Sequence, residues 1–308
     1  MCGKISYSCP DLGALRSLCF FPRTLKFTER ALLAPLNPPL GFATNRLSFG
    51  LYDKCYQCYN IFFLPHPSPI PSMANKPFIS IRKYIKWGDD PAGENTDTLV
   101  LTTAAKYFVD VRIFLPTSSA PPTKTIESLE WGFAGTAKST PAEGGAPAHT
   151  EWSHWVDSKT TEEVRDEGDM YPQGNGEVLE YGSMVNPAKG VVEKYEECWI
   201  DLAPRVIPPE KGFISWVMKC EDVERAVKGM VIRIGEYIQG VLRKGDDVSV
   251  GRWIWGEEDG WRLVVDIGGF GTEVPSDVLR IDADVKLGDK KKGGEGLEWE
   301  CVEALGWS

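Results

Sequence analysis

Two stretches a hundred residues apart carry the same β pattern. One runs Val178-Leu179-Glu180-Tyr181, a Gly/Asn/Pro/Lys turn region, then Tyr195 to Leu202. The other runs Val278-Leu279-Arg280-Ile281, a Gly/Asp/Lys turn region, then Trp299 to Leu305. An internal repeat constrains architecture before any single motif does, because each copy must fold as one unit. It predicts two related all-β domains in tandem.

Alternation along the chain agrees. Tyr107, Val109, Val111 and Ile113 share one strand face, with Asp110 and Arg112 on the other. Leu279–Leu287 sets five apolar residues against four charges, as a half-buried antiparallel strand requires. Val250–Trp255 and Trp261–Asp266 flank an acidic five-residue loop and predict a hairpin. Glu221–Val227 predicts about two helical turns, with acids where the dipole favours them. Aligning the copies further sets Tyr107–Phe114 against Met230–Ile234. The proline-rich linker Ala203–Pro209 then divides a β domain over 75–203 from one over 210–308. Its stiffness predicts two domains fixed against one another.

Residues 1–72 differ in kind, with seven basic against three acidic side chains, no tryptophan, and five of the eight cysteines. The segment ends in Leu64-Pro65-His66-Pro67-Ser68-Pro69-Ile70-Pro71, which suits neither helix nor central strand. We expect a non-globular N-terminal extension, outside the native protein, with Met73 as initiator. A basic organellar presequence is the alternative. The Cys55/Cys58 pair lacks the second ligand pair that a zinc site needs.

The rest of the chain is acidic, which argues against a nucleic-acid partner. No apolar run approaches the length of a membrane span. Cys198, Cys220 and Cys301 are an odd, sparse set that fits buried thiols in a reducing compartment. With His149 and His154 as the histidines of the body, neither a zinc tetrad nor a Cys/His nucleophile pair can be assembled. The paired carboxylates sit in turns, where both are solvated rather than split into acid and base. Gly268-Gly269-Phe270-Gly271 reads as a turn needing positive φ, not as a phosphate cradle. No catalytic residue, metal ligand or cofactor is expected.

Tryptophans remain. Trp152 and His154 share one strand face, and Trp253 and Trp255 share another, so these four are the candidate ligand contacts of barrel interiors. Dense packing of the same rings into a core is the competing reading.

The segments Phe78-Ile79-Ser80-Ile81-Arg82 with Trp87-Gly88, Glu193 to Leu202, Gly235 to Val241 and Gly251-Arg252-Trp253 resemble the fungal Hri protein family, whose members interact with casein kinase I. The resemblance covers about 74–308. It implies two tandem lipocalin-like (calycin-type) antiparallel β-barrels with at most one or two short helices. It further implies a cytoplasmic and nuclear location, no enzymatic activity, and two partners, a casein kinase I and a component of the secretory translocon. Gly251-Arg252-Trp253 lies mid-domain, whereas a lipocalin carries such a pattern on its first strand. The expected function is a non-catalytic interaction protein; the alternative is an intracellular carrier of a small apolar ligand. An enzyme would require a pocket that strongly perturbs His154 or a carboxylate.

Overall fold

A computed structural model of the chain describes residues 76–116, 125–208, 210–280 and 283–307. The expectations for residues 1–72 lie outside them. Fifteen strands and a few single-turn helices make up the described residues, so the fold is all-β.

Eight strands close the first barrel, each hydrogen-bonded to the next and the last to the first. They are β1 (Phe78–Trp87), β2 (Thr96–Thr102), β3 (Tyr107–Phe114), β4 (Leu129–Thr140), β5 (Ala148–Asp157), β6 (Arg165–Pro172), β7 (Glu177–Asn186) and β8 (Val191–Leu202). Closure leaves no free edge in this sheet. The second sheet uses β9 (Phe213–Asp222), β10 (Val227–Ile234), β11 (Tyr237–Lys244), β12 (Asp247–Gly256), β13 (Gly260–Ile267), β14 (Lys290–Lys292) and β15 (Glu298–Trp307). Its order is β13-β12-β11-β10-β9-β15-β14.

The repeat is visible in the pairing of the last long strands. β8 returns to β1, and β15 returns to β9, each pair with a bulge near its middle. The copies differ between. Val178–Tyr181 is strand, but Ser276–Leu279 is a 3-10 turn, and residues 283–286 have no regular structure. The expected strand at Leu279–Leu287 is therefore corrected. Phe270, Val274 and Val278 turn inward and pack on Trp216, Trp253 and Trp299, and this burial outweighs the local alternation. Among the described residues the ends of the second sheet do not pair with each other, where a second barrel was expected. β10 takes the second place in its sheet, which β2 holds in the barrel, so matching Tyr107–Phe114 to Met230–Ile234 is one strand out of step.

The expected helix at Glu221–Val227 is a hairpin turn between β9 and β10. Asp222 pairs with Val227 across it, and Ala226 adopts a left-handed φ of 52°. Pairing of two long strands outweighs a short helical preference. The Trp-rich hairpin forms, with Gly256 opposite Gly260.

Both sheets fall in one compact unit and share one core. Ile79, Leu99, Leu101, Val109 and Val111 project outward from the barrel onto Val217, Ile232, Val241 and Val250 of the second sheet. Gln239, fully buried, donates to the carbonyls of Leu99 (2.8 Å) and Val109 (3.1 Å). Arg252 donates to Gln239 (2.7 Å), to Val111 O (3.0 Å) and to Asp97 (2.9 Å). The linker is pinned as well, since Glu236 accepts from the backbone and side chain of Arg205.

Candidate functional site

The outward apolar face of β3 leaves its charged face inside the barrel. Arg82 donates to Glu94 (2.8 Å) and Thr96 (3.0 Å) and pairs with Glu197. Arg112 pairs with Asp110 (2.9 Å) and reaches the same Glu197 at 3.4 Å. Burial outweighs these partners for Asp110, whose pKa is raised. Glu180, 4% exposed, accepts from Tyr195 Oη (2.8 Å) and Trp199 Nε1 (2.9 Å). Burial first, then the neighbouring Glu197 and Asp166, push its carboxyl up to about 8. Close packing holds this network: a Cβ on Gly182 would lie 2.3 Å from Tyr195 Oη, and one on Gly168 would lie 2.6 Å from Glu180 Cγ. Ion pairs and neutralised acid thus cross the barrel where an apolar cup was the alternative expectation.

His154 sits in this interior with its side chain fully buried. Its ring stacks on Phe133 at 4.2 Å and meets Trp131 and Phe108 edge-on. Nδ1 lies 2.7 Å from Asp157 Oδ2. Burial alone would raise the Asp157 pKa, but hydrogen bonds from His154, the Lys159 amide and Trp131 lower it overall. Trp152 is half-buried on the same strand, opposite Asp166 of β6. Trp253 is buried in the second core, 6.0 Å from Phe270, and Trp255 packs edge-on against Trp261 at 5.5 Å. Trp152 and His154 therefore belong to the barrel, and Trp253 and Trp255 to the second sheet. The four do not form one site.

The residue that faces outward is one that the sequence reading passed over, Trp155. At this point β5 carries a bulge, with His154 opposite Gly135 but Val156 opposite Ala134. A bulge places consecutive residues on one side of the sheet. Here it turns both Trp155 and Val156 outward to the seam. Gly135 permits it, since a Cβ there would lie 1.8 Å from Ser153 O. Lys219 of β9 sets its Nζ 3.7 Å from the Trp155 ring centre, and Lys228 of β10 lies at 5.8 Å. Such stacking is worth about 0.5–2 kcal/mol and holds both ammonium groups against the ring. Burial lowers the Lys219 pKa; Glu221 offsets this in part, and Lys228 adds to it.

These residues line a cleft of about 660 Å³ where the barrel meets the second sheet. Its second wall is the 160–163 segment, tied down by Arg243, which donates to Asp157 O (2.9 Å) and Thr160 O (3.3 Å). Val223, 82% exposed, stands at the rim on the β9–β10 turn. The cleft thus offers an indole face, an apolar lip and a mixed charged lining, with Lys219, Lys228 and Arg243 beside Glu162, Glu163, Glu221 and Asp222. The one sequence signal for it was the second tryptophan of Glu151-Trp152-Ser153-His154-Trp155.

Among the described residues, no cluster of three or more His, Cys, Asp or Glu side chains is placed to hold a metal ion. Cys198, Cys220 and Cys301 are buried free thiols, and burial pushes each up to about 11. No described helix is long and apolar enough to cross a membrane.

The family model described as Protein HRI1 matches residues 78–303. The crystal structure of an uncharacterized protein from Saccharomyces cerevisiae is similar in fold, with a TM-score of 0.58 at 21% identity. The match covers 74% of this chain and 99% of that one. No curated protein matches the sequence.

Proposed function

The chain belongs to the HRI1 protein family, and on that premise we propose that it is a non-catalytic interaction protein that docks partners in the cleft between its barrel and its second sheet. The observation that carries this reading is the outward Trp155 with Lys219 and Lys228 over its ring. An aromatic anchor in a part-buried recess with a charged rim is the kind of surface on which a few residues dominate binding. The partner proposed is a casein kinase I, with a secretory-translocon component second, in the cytoplasm and nucleus.

The test is titration calorimetry of the full chain with a casein kinase I. Wild type should bind, and Trp155→Ala should weaken binding about tenfold or more, as hot-spot truncations do. The double reversal Lys228→Glu with Lys219→Glu should do the same. A wild-type chain that gives no heat with the kinase sinks the partner assignment. Binding indifferent to both variants sinks the cleft.

A further inference from the structure

The loop from β5 to β6 carries three hydroxyls, Ser158, Thr160 and Thr161, followed directly by Glu162 and Glu163. Their settings differ. Ser158 is fixed to β4, since its Oγ accepts from the Gly132 amide (3.0 Å) and its amide donates to Gly132 O (2.8 Å). Thr160 is half-buried, and its Oγ1 accepts from the Glu162 amide at 3.0 Å. Thr161 is exposed, lines the cleft, and makes no side-chain hydrogen bond among the described residues. Beside it stands Arg243, whose side chain is 15% exposed and held by three backbone carbonyls. Nε donates to Gly245 O (2.7 Å), and Nη1 to Asp157 O (2.9 Å) and Thr160 O (3.3 Å), one residue before Thr161. Among the described residues Nη2 meets only Asp246, at 3.8 Å, too far for a hydrogen bond. Asp222 and Glu163 of the cleft are taken up by Arg225 (2.7 Å) and Arg165 (3.5 Å). Glu162 and Glu221 remain in the lining, so an anion would gain here from Arg243 locally and not from the cleft as a whole.

We propose that Thr161 is a phosphorylation site for a Ser/Thr kinase that reads acids beside its target, and that Arg243 receives the phosphate. The γ-phosphoryl group of ATP passes to Thr161 Oγ1 as its bond to the β-phosphate oxygen breaks. ADP leaves, and the hydroxyl proton goes to the catalytic base of the kinase. The new group carries about −1.5 to −2 charges and three acceptor oxygens. A guanidinium already oriented by the backbone loses little freedom on donating to them. A phosphate held there occupies the cleft onto which Trp155 faces. Its effect on function rests on the docking reading above: the modified chain binds a partner in this cleft more weakly.

The full chain is incubated with casein kinase II and ATP, and tandem mass spectrometry locates the phosphate. It should lie on Thr161; phosphate confined to Ser158 or Thr160, or absent from the loop, overturns the site. Phosphorus NMR of the modified chain then follows the second ionisation of the phosphate, ordinarily at about 6. Contact with Arg243 should hold it below the value measured on the same chain in urea, and equal values overturn that contact. Neither readout involves a partner, so both stand apart from the docking reading, which fails instead in calorimetry of the unmodified chain. In that calorimetry the phosphorylated chain should bind at least about fivefold more weakly. Equal affinity of the two forms overturns the regulatory effect.

Discussion

Glu180 shows how much a single residue's setting changes its chemistry. Its pKa is raised to about 8 by burial, then by Glu197 and Asp166. Between its ordinary 4.5 and that value, the folded chain holds a proton that the unfolded chain has released. The stability this contributes is complete below the unfolded pKa and is lost as pH rises through the folded one, at up to about 1.4 kcal/mol per pH unit. Glu180→Gln does not titrate, and its carbonyl can accept from Trp199 while its amide donates to the Tyr195 hydroxyl. Urea midpoints across that window should fall with pH in the wild type and fall less steeply in the variant; parallel curves would refute the assignment. Asp157 acts with the opposite sign. Its lowered pKa contributes stability that is present above the ordinary 3.8 and is lost as pH falls through the folded value.

Among elements, the short helix α1 (Phe270–Glu273) does more than its length suggests. Gly240 and Gly251 face each other across β11 and β12, and a Cβ on either would lie 2.5 Å from the Phe270 ring. The ring therefore sits directly on a glycine pair. Gly268 and Gly269, both at positive φ, turn the chain to deliver it. That turn was legible in the Gly-Gly-Phe-Gly run, but the glycines beneath it were not, because they lie in other strands. Phe270→Ala should cost about 3–5 kcal/mol. Amide exchange should quicken first over residues 270–280, since one turn of helix has no stability of its own. Uniform loss of protection across the barrel would contradict this.

For the whole molecule, the seam makes one folding unit from a tandem repeat. The apolar contact of barrel and sheet carries the interface, while Gln239 and Arg252 stitch it to barrel carbonyls. Gln239→Leu leaves the Arg252 Nε without its acceptor and should cost about 1–3 kcal/mol. Calorimetry should still show a single transition, because the apolar seam remains. Two resolved transitions would mean that the units fold separately. The linker prolines pointed to a fixed pair, but fixation comes chiefly from the shared core.

Local patterns in the chain carried real information. They determined that the body is all-β, that Val109 and Asp110 lie on opposite strand faces, and that a hairpin joins Trp255 to Trp261. They did not say which face meets water. An alternating strand has two faces, and the period is the same whichever of them is covered. Only the docked second sheet places Val109, Val111 and Leu101 in a core outside the barrel, and only barrel closure brings Arg82, Arg112 and Glu197 together inside it. Trp155 at the seam follows the same rule. Its surface is made by strands distant in sequence, and its chemistry exists only once they meet.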